Sequence, residues 1–290
     1  MIELDWSPWY GCKKCSTGCM YCRADEFVHL NNKEYRLPIQ KKRKKSRFTE
    51  KYELDYKVEP GTVVNVCPYS DFFIDDADYL RQEVWDIIHE RYDCLFHIIT
   101  KRPERVEQCL PDNWLLGWDN IMLSVSIEDQ LNANSRLEIL MYLRDRGFNH
   151  LGIVIEPMIE DIDIMSFIGS GYIDHVFIGG ESYYGYRGLA RELNLEWVKK
   201  IHDQCEMFEV PFSFKSTGSR LRIYDGSLAQ VKFFDQKGLA DFYKLGINED
   251  KSILYNWQAN IKELERRKTI EEAHRMYIIY NEFMNRNDKT

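Results

Sequence analysis

The chain has 290 residues, 44% of them apolar, and a formal net charge of −8. That length and apolar content suit a single α/β barrel with a sizeable core. No apolar run of about 18 residues occurs, which excludes a membrane-spanning helix; the acidic balance gives no general attraction to nucleic acid or anionic membrane; and the start, MIELDWSPWYGC, lacks the basic and apolar segments of a signal peptide, so a cytoplasmic chain with reduced thiols is expected.

In chain order, a short strand is predicted near 2–9. It is followed by GCKKCSTGCMYC, which places Cys12, Cys15, Cys19 and Cys22 within eleven positions. Next comes a basic run of Lys41, Lys42, Arg43, Lys44, Lys45 and Arg47; without those six charges the remainder carries −14. The run is either a solvated loop or a contact for the phosphates of a nucleotide or nucleic acid. Six apolar, β-branched runs then predict strands buried on both faces, as in a parallel sheet: 62–70, 95–102, 121–129, 151–157, 175–182 and 210–216. Between them, 77–92, 132–146 and 193–208 carry apolar residues at the 3.6-residue period of helices. Strand and helix alternate, so the expected fold is α/β: a partial (β/α)6–7 TIM-like barrel of parallel strands. It spans 1–220 and includes the cysteine loop, and a C-terminal helical extension at 221–290 packs on it.

Polar residues collect at the C-terminal ends of these strands: Ser70 and Asp71, Thr100 to Arg102, Ser126 and Glu128, Glu156, Glu181 and Lys215. A parallel barrel builds its site at that rim. Cys67 stands near the end of the 62–70 strand, where a thiol is a candidate hydrogen-atom donor and, more commonly, a small core residue. The seven histidines form no HExxH or Cys/His ligand set, and neither G-x-S-x-G nor G-x-x-x-x-G-K-[ST] occurs.

Three chemistries compete for the cysteines. Structural zinc takes four thiolates, but only Ser16, Thr17 and Gly18 separate Cys15 from Cys19, leaving little chain to wrap one ion. Two abutting thioredoxin-like C-x-x-C motifs are the second option. The third is an iron–sulfur cube: Cys15, Cys19 and Cys22 form C-x3-C-x2-C with Tyr21 before the last, and three thiolates leave one iron open.

CSTGCMYC resembles the hallmark of the radical S-adenosylmethionine (radical SAM) superfamily. WSPWYGCKKCSTGCMYC, PYSDFF, IITKRPERV, LSVSIEDQ, IVIEPM, FIGGES and VPFSFKS, spanning roughly 6–220, occur in an order similar to a phage-associated radical SAM-like family related to spore photoproduct lyase. In that family the cysteines run C-x6-C-x2-C, which selects Cys12, Cys19 and Cys22, whereas the superfamily spacing selects Cys15 in place of Cys12. The resemblance implies a 4Fe-4S cluster whose open iron binds S-adenosylmethionine, and an electron donor such as flavodoxin or ferredoxin. One-electron cleavage of the C–S bond then gives a 5′-deoxyadenosyl radical that abstracts hydrogen from a substrate, with nucleic acid or a nucleotide favoured. It also implies cofactor contacts from Tyr21, Ser70, Lys101 and Ser126, Lys101 pairing with the methionine carboxylate. Glu156 and Glu181 are candidates for the ammonium or a polar substrate. The competing expectation is a non-enzymatic zinc- or cluster-bearing module that binds nucleic acid.

Overall fold

The computed structural model describes residues 3–22, 40–41, 58–114, 118–182 and 189–257. The strands in chain order are β1 (Glu3–Trp6), β2 (Trp9–Tyr10), β3 (Gln40–Lys41), β4 (Val63–Val66), β5 (Leu95–Thr100), β6 (Ile121–Ile127), β7 (His150–Ile155), β8 (Ile173–Gly179), β9 (Leu193–Asn194), β10 (Phe212–Ser216), β11 (Arg220–Arg222) and β12 (Leu228–Gln230). The helices are α1 (Asp78–Glu90), α2 (Gln130–Asp145), α3 (Met165–Ile168), α4 (Leu195–Met207) and α5 (Gln236–Phe242). Each of the six predicted apolar runs overlaps a strand, and β1 supplies the seventh.

These seven form one sheet in the order β1-β4-β5-β6-β7-β8-β10. Every neighbouring pair in it is parallel. The sheet curls into a half-barrel flanked by helices. Helices α1, α2 and α4 cover the outer face, as the 3.6-residue periodicity predicted. Between β5 and β6 the described residues hold only 3-10 turns at Pro103–Arg105 and Glu107–Cys109, and between β7 and β8 only the single-turn α3. The outer core is rich in aromatics: Trp85 packs against Phe72, Trp114 and Trp118 with centroids 4.8, 6.1 and 5.5 Å apart.

Alternation along the strands separates two cores. Phe96, Ile98, Leu123, Val125, Ile153, Val176, Ile178, Phe212 and Phe214 join the outer one. Leu95, Met122, Val154 and Phe177 face the concave side, where Leu254 and Trp257 pack with them. The Trp257 indole donates to the Asp93 carbonyl (3.2 Å), so this segment closes the N-terminal end of the sheet.

The expected C-terminal helical extension begins differently. After 220 the chain forms a β11–β12 hairpin, and β11 also pairs with β9. Asp225–Gly226 makes the turn: the Asp225 carboxylate accepts from Ser227 N (2.8 Å) and Gly226 adopts φ +81°. Helix α5 and a helical turn at 253–257 follow, and 258–290 lie outside the described residues.

Gly152 sits on the concave side of β7 where no side chain fits. A Cβ there would overlap Ser124 Oγ and lie 2.6 Å from Met122 Cε, and Ser124 is held by His97 Nε2 at 2.7 Å. Gly152→Ala is therefore expected to cost about 1–3 kcal/mol by overpacking, read as a lowered urea midpoint with an unchanged slope.

Candidate functional site

Residues 11–22 carry few apolar groups and cannot fold by burying themselves, so the half-barrel's rim holds them. Gly11, at φ +97°, turns the chain in a conformation that favours glycine, and its carbonyl accepts from the Ser70 hydroxyl (2.5 Å). Thr17–Cys19 form a 3-10 turn whose Gly18 and Cys19 are buried.

Three carboxylate–arginine pairs at the sheet's C-terminal edge each reach this loop. After β4, Asp71 accepts from Thr100 Oγ1 (2.8 Å), Lys101 N (3.0 Å) and Arg102 Nη1 (3.0 Å); Arg102 in turn donates to the Lys13 carbonyl (2.5 Å) and lies 3.9 Å from Cys12 Sγ. After β6, the fully buried Glu128 pairs with Arg136 of α2 (3.0 Å) and accepts from Gly18 N (3.2 Å). Gly18 has to be glycine here, because a Cβ would come within 2.9 Å of Glu128 Cδ. After β8, Glu181 accepts from Arg191 N (2.8 Å) and from its guanidinium; Arg191 also donates to the Thr17 carbonyl (3.0 Å) and lies over the Tyr21 ring at 5.7 Å. Asp129 caps α2 through Asn132 N (2.8 Å) and accepts from Thr17 Oγ1 (2.8 Å).

The four cysteines occupy different surroundings. Cys15 is exposed, and its Sγ lies 3.9 Å from that of Cys19. The hydrogen bond between them lowers the Cys19 pKa to about 5, with the Lys101 charge assisting, and raises that of Cys15, so this pair carries its thiolate on Cys19. Burial and Asp71 push the Cys12 thiol up to about 12; Cys19 and Cys22 also act on it, which places all three at one locus. No three of these sulfurs lie within 4.8 Å of one another. A tetrahedral ion with Zn–S of about 2.3 Å would bring them to about 3.8 Å. Among the described residues, the one carboxylate–histidine group tight enough for a single ion is His202, Asp203 and Glu206 on α4; Asp203 there is already paired with Lys199.

Lys101 and Ser126 converge at the rim. Lys101 Nζ donates to Ser126 Oγ and to the Glu156 carbonyl (3.2 Å), and Ser126 Oγ donates to the same carbonyl (3.2 Å). The Glu156 carboxylate is exposed over Gly179, where a Cβ would meet it at 2.8 Å. Ser70 and Glu181 are instead engaged with Gly11 and Arg191 and act on the loop. Gly180 of the Gly-Gly-Glu stretch serves backbone packing: a Cβ would strike the Thr217 carbonyl. Cys67 is buried in the outer core with its pKa raised by desolvation, so it packs and does not face the concave side. Of the basic run, only the backbone of Lys41, paired with Trp9, belongs to the described residues; 42–47 lie outside them.

Sequence reasoning missed Arg136 and Arg191. Arg136 had a signal, a cation beside Leu137 on the apolar stripe of α2, eight residues after an acid at a strand end. Arg191 had none. Among the described residues, no helix is long and apolar enough to cross a membrane. Residues 1–271 match the family described as Protein of unknown function (DUF5131), and the chain belongs to that family. No curated protein and no solved structure matches it.

Replacing Glu128 tests the loop's anchoring. Glu128→Ala strands Arg136 in a buried site and is expected to cost about 3–5 kcal/mol in urea unfolding. The milder Glu128→Gln should speed alkylation of the loop cysteines while leaving Cys67, Cys94 and Cys205, all buried, unreactive until the protein unfolds. Unchanged loop alkylation in Glu128→Gln would refute the anchoring role.

Proposed function

We propose that this member of the DUF5131 family is a radical S-adenosylmethionine enzyme, its cluster held by the 12–22 loop across the mouth of the half-barrel. The observation that carries the reading is the meeting of three elements at one edge: a thiolate-favouring Cys19, the Lys101–Ser126 pair whose charge reaches it, and the open carboxylate of Glu156. Soft thiolates confined to one short loop suit iron–sulfur coordination.

Cys19 and Cys22 would hold the cluster with either Cys12 or Cys15 as the third ligand. When bound, the cluster and S-adenosylmethionine supply hydrogen-atom abstraction, driven by one-electron cleavage of the sulfonium C–S bond. The chain's own residues bind and orient. Lys101 offers its ammonium to the methionine carboxylate, exchanging two neutral oxygen partners for a charged one. Glu156 offers the complementary carboxylate to the methionine ammonium. Tyr21, steadied by Arg191, presents a ring face for the adenine. Ser70 acts at one remove, fixing Gly11 and so the start of the loop. A small electron carrier such as flavodoxin or ferredoxin provides the electron, a nucleotide-like substrate is favoured, and the setting is cytoplasmic, where thiols stay reduced.

Anaerobic reconstitution with iron and sulfide decides the matter. The expected product is brown, holds about four irons per chain, bleaches with dithionite and releases 5′-deoxyadenosine from S-adenosylmethionine. Cys19→Ala and Cys22→Ala should lose the iron, and only one of Cys12→Ala and Cys15→Ala should do so. Lys101→Met should weaken S-adenosylmethionine binding by about tenfold or more, the loss of a charge-assisted hydrogen bond. Colourless protein holding one zinc would overturn the reading.

A further inference from the structure

Beside the residues assigned to the cofactor, the concave face carries, among the described residues, one cation with no acidic partner. Lys215 is the extra residue of a bulge in β10, between Phe214, which joins the outer core, and Ser216, and its contact with Phe177 places it on the concave face. Its ammonium lies 4.2 Å from the centroid of Phe177 and makes no ion pair among the described residues. Other cations at this rim are engaged: Arg102 with Asp71, Arg136 with Glu128, Arg191 with Glu181, and Lys101 with Ser126 and the Glu156 carbonyl.

The placement of Lys215 is built from below. Phe177 stacks on His175 with centroids 3.9 Å apart and planes 5° from parallel. His175 Nε2 is 2.8 Å from Ser213 Oγ, and Ser213 donates to the Glu249 carboxylate. Because the serine's proton goes to that carboxylate, its oxygen accepts from His175, and the ring is fixed as the Nε2–H tautomer. A chain of contacts from Glu249 through Ser213, His175 and Phe177 thus supports the exposed ammonium.

The same tier of the rim holds the cofactor residues. In the β8–β10 ladder Phe214 pairs with Ile178 and Ser216 with Gly179, Lys215 being the extra residue of a bulge between them, and Ile155 pairs with Ile178 in the β7–β8 ladder, so Glu156, Gly179 and Lys215 lie at the C-terminal ends of three successive strands. Gly179 carries no side chain to divide them.

We infer that Lys215 is a substrate-binding residue, and that the substrate carries an anionic oxygen group, phosphate or carboxylate, set on the Lys215 ammonium beside the cofactor. This rests on the function proposed above and names the chemistry of its substrate. The partner exchange is favourable because an anion gains a charge-assisted contact while the ammonium gives up only a cation–π contact.

The test uses the full chain with lysines carbon-13 labelled at Cε, the Lys215 resonance being assigned by its loss in Lys215→Arg. Inorganic phosphate and acetate are titrated separately at constant ionic strength. The expected result is a saturable shift of the Lys215 resonance at a concentration about tenfold below that which moves the other lysines. The more effective of the two anions identifies the group as phosphate or carboxylate. Calorimetry with the same anion should show affinity retained in Lys215→Arg and reduced about tenfold or more in Lys215→Gln. A Lys215 resonance that follows bulk anion concentration like its neighbours, or equal affinity in Lys215→Gln, overturns the subsite. Because these titrations need neither cluster nor S-adenosylmethionine, their failure is distinct from a failure of reconstitution or cofactor cleavage.

Discussion

A loop with few apolar side chains cannot hold itself in place by burying a core of its own, and this constraint shapes the rest of the molecule. Residues 11–22 are held through their backbone. Gly18 N gives to Glu128, while the carbonyls of Gly11, Lys13 and Thr17 accept from Ser70, Arg102 and Arg191. Asp71–Arg102, Glu128–Arg136 and Glu181–Arg191 share a logic: each pair satisfies its own charges and has one hydrogen bond left for the loop. Buried pairs of this kind contribute little net stability compared with apolar packing. What they supply is position, because breaking one strands a charge and so makes the loop's register costly to change.

The parallel sheet makes such anchoring possible. Its strands end together, so β4, β5, β6 and β8 deliver Asp71, Arg102, Glu128 and Glu181 to one edge. Beneath that edge the concave face is layered. Leu254 and Trp257 seal the far end; above them lies a tier of His97, Ser124, His175 and Ser213. Burial and the nearby Lys215 hold the two imidazoles neutral, with pKa values lowered to about 3 and about 2. Both neutral rings pack on Phe177 in a buried interior, where two imidazolium ions would be strongly disfavoured. The tier therefore holds two neutral imidazoles between the Glu249 carboxylate, bonded to Ser213, and the charged groups of the rim.

Much of this was legible in the sequence because it rests on local pattern. The β-branched runs, the helical stripes and the C-x3-C-x2-C spacing are each contained within a few residues, and strand ends place Lys101 and Ser126 on one rim without knowledge of tertiary contacts. The rest depends on pairings between distant segments. Ser70 and Glu181 have the expected addresses but are committed to Gly11 and Arg191, partners that no spacing rule names. Cys67 lies at a strand end, yet its side chain packs in the outer core. The hairpin after residue 220 had a local signal in Asp225–Gly226, and the long helical pattern that follows it overshadowed those two residues.

The division of labour among the rim cations follows from the chemistry of their heads. Arginine presents several donors in a fixed plane, and Arg102, Arg136 and Arg191 each use that plane to join a carboxylate to backbone or sulfur, a geometry that a single ammonium cannot reproduce. Lysine is a compact charge on a flexible stem. Lys101 rests on a hydroxyl and a carbonyl, and Lys215 on an aromatic ring, so both contacts are neutral. Either lysine can move to an incoming anion without abandoning a buried carboxylate, whereas an arginine that did so would leave Asp71, Glu128 or Glu181 uncompensated. The mouth of the half-barrel thus has one set of charges fixed in ion pairs that hold the cysteine loop and a separate set resting on neutral groups.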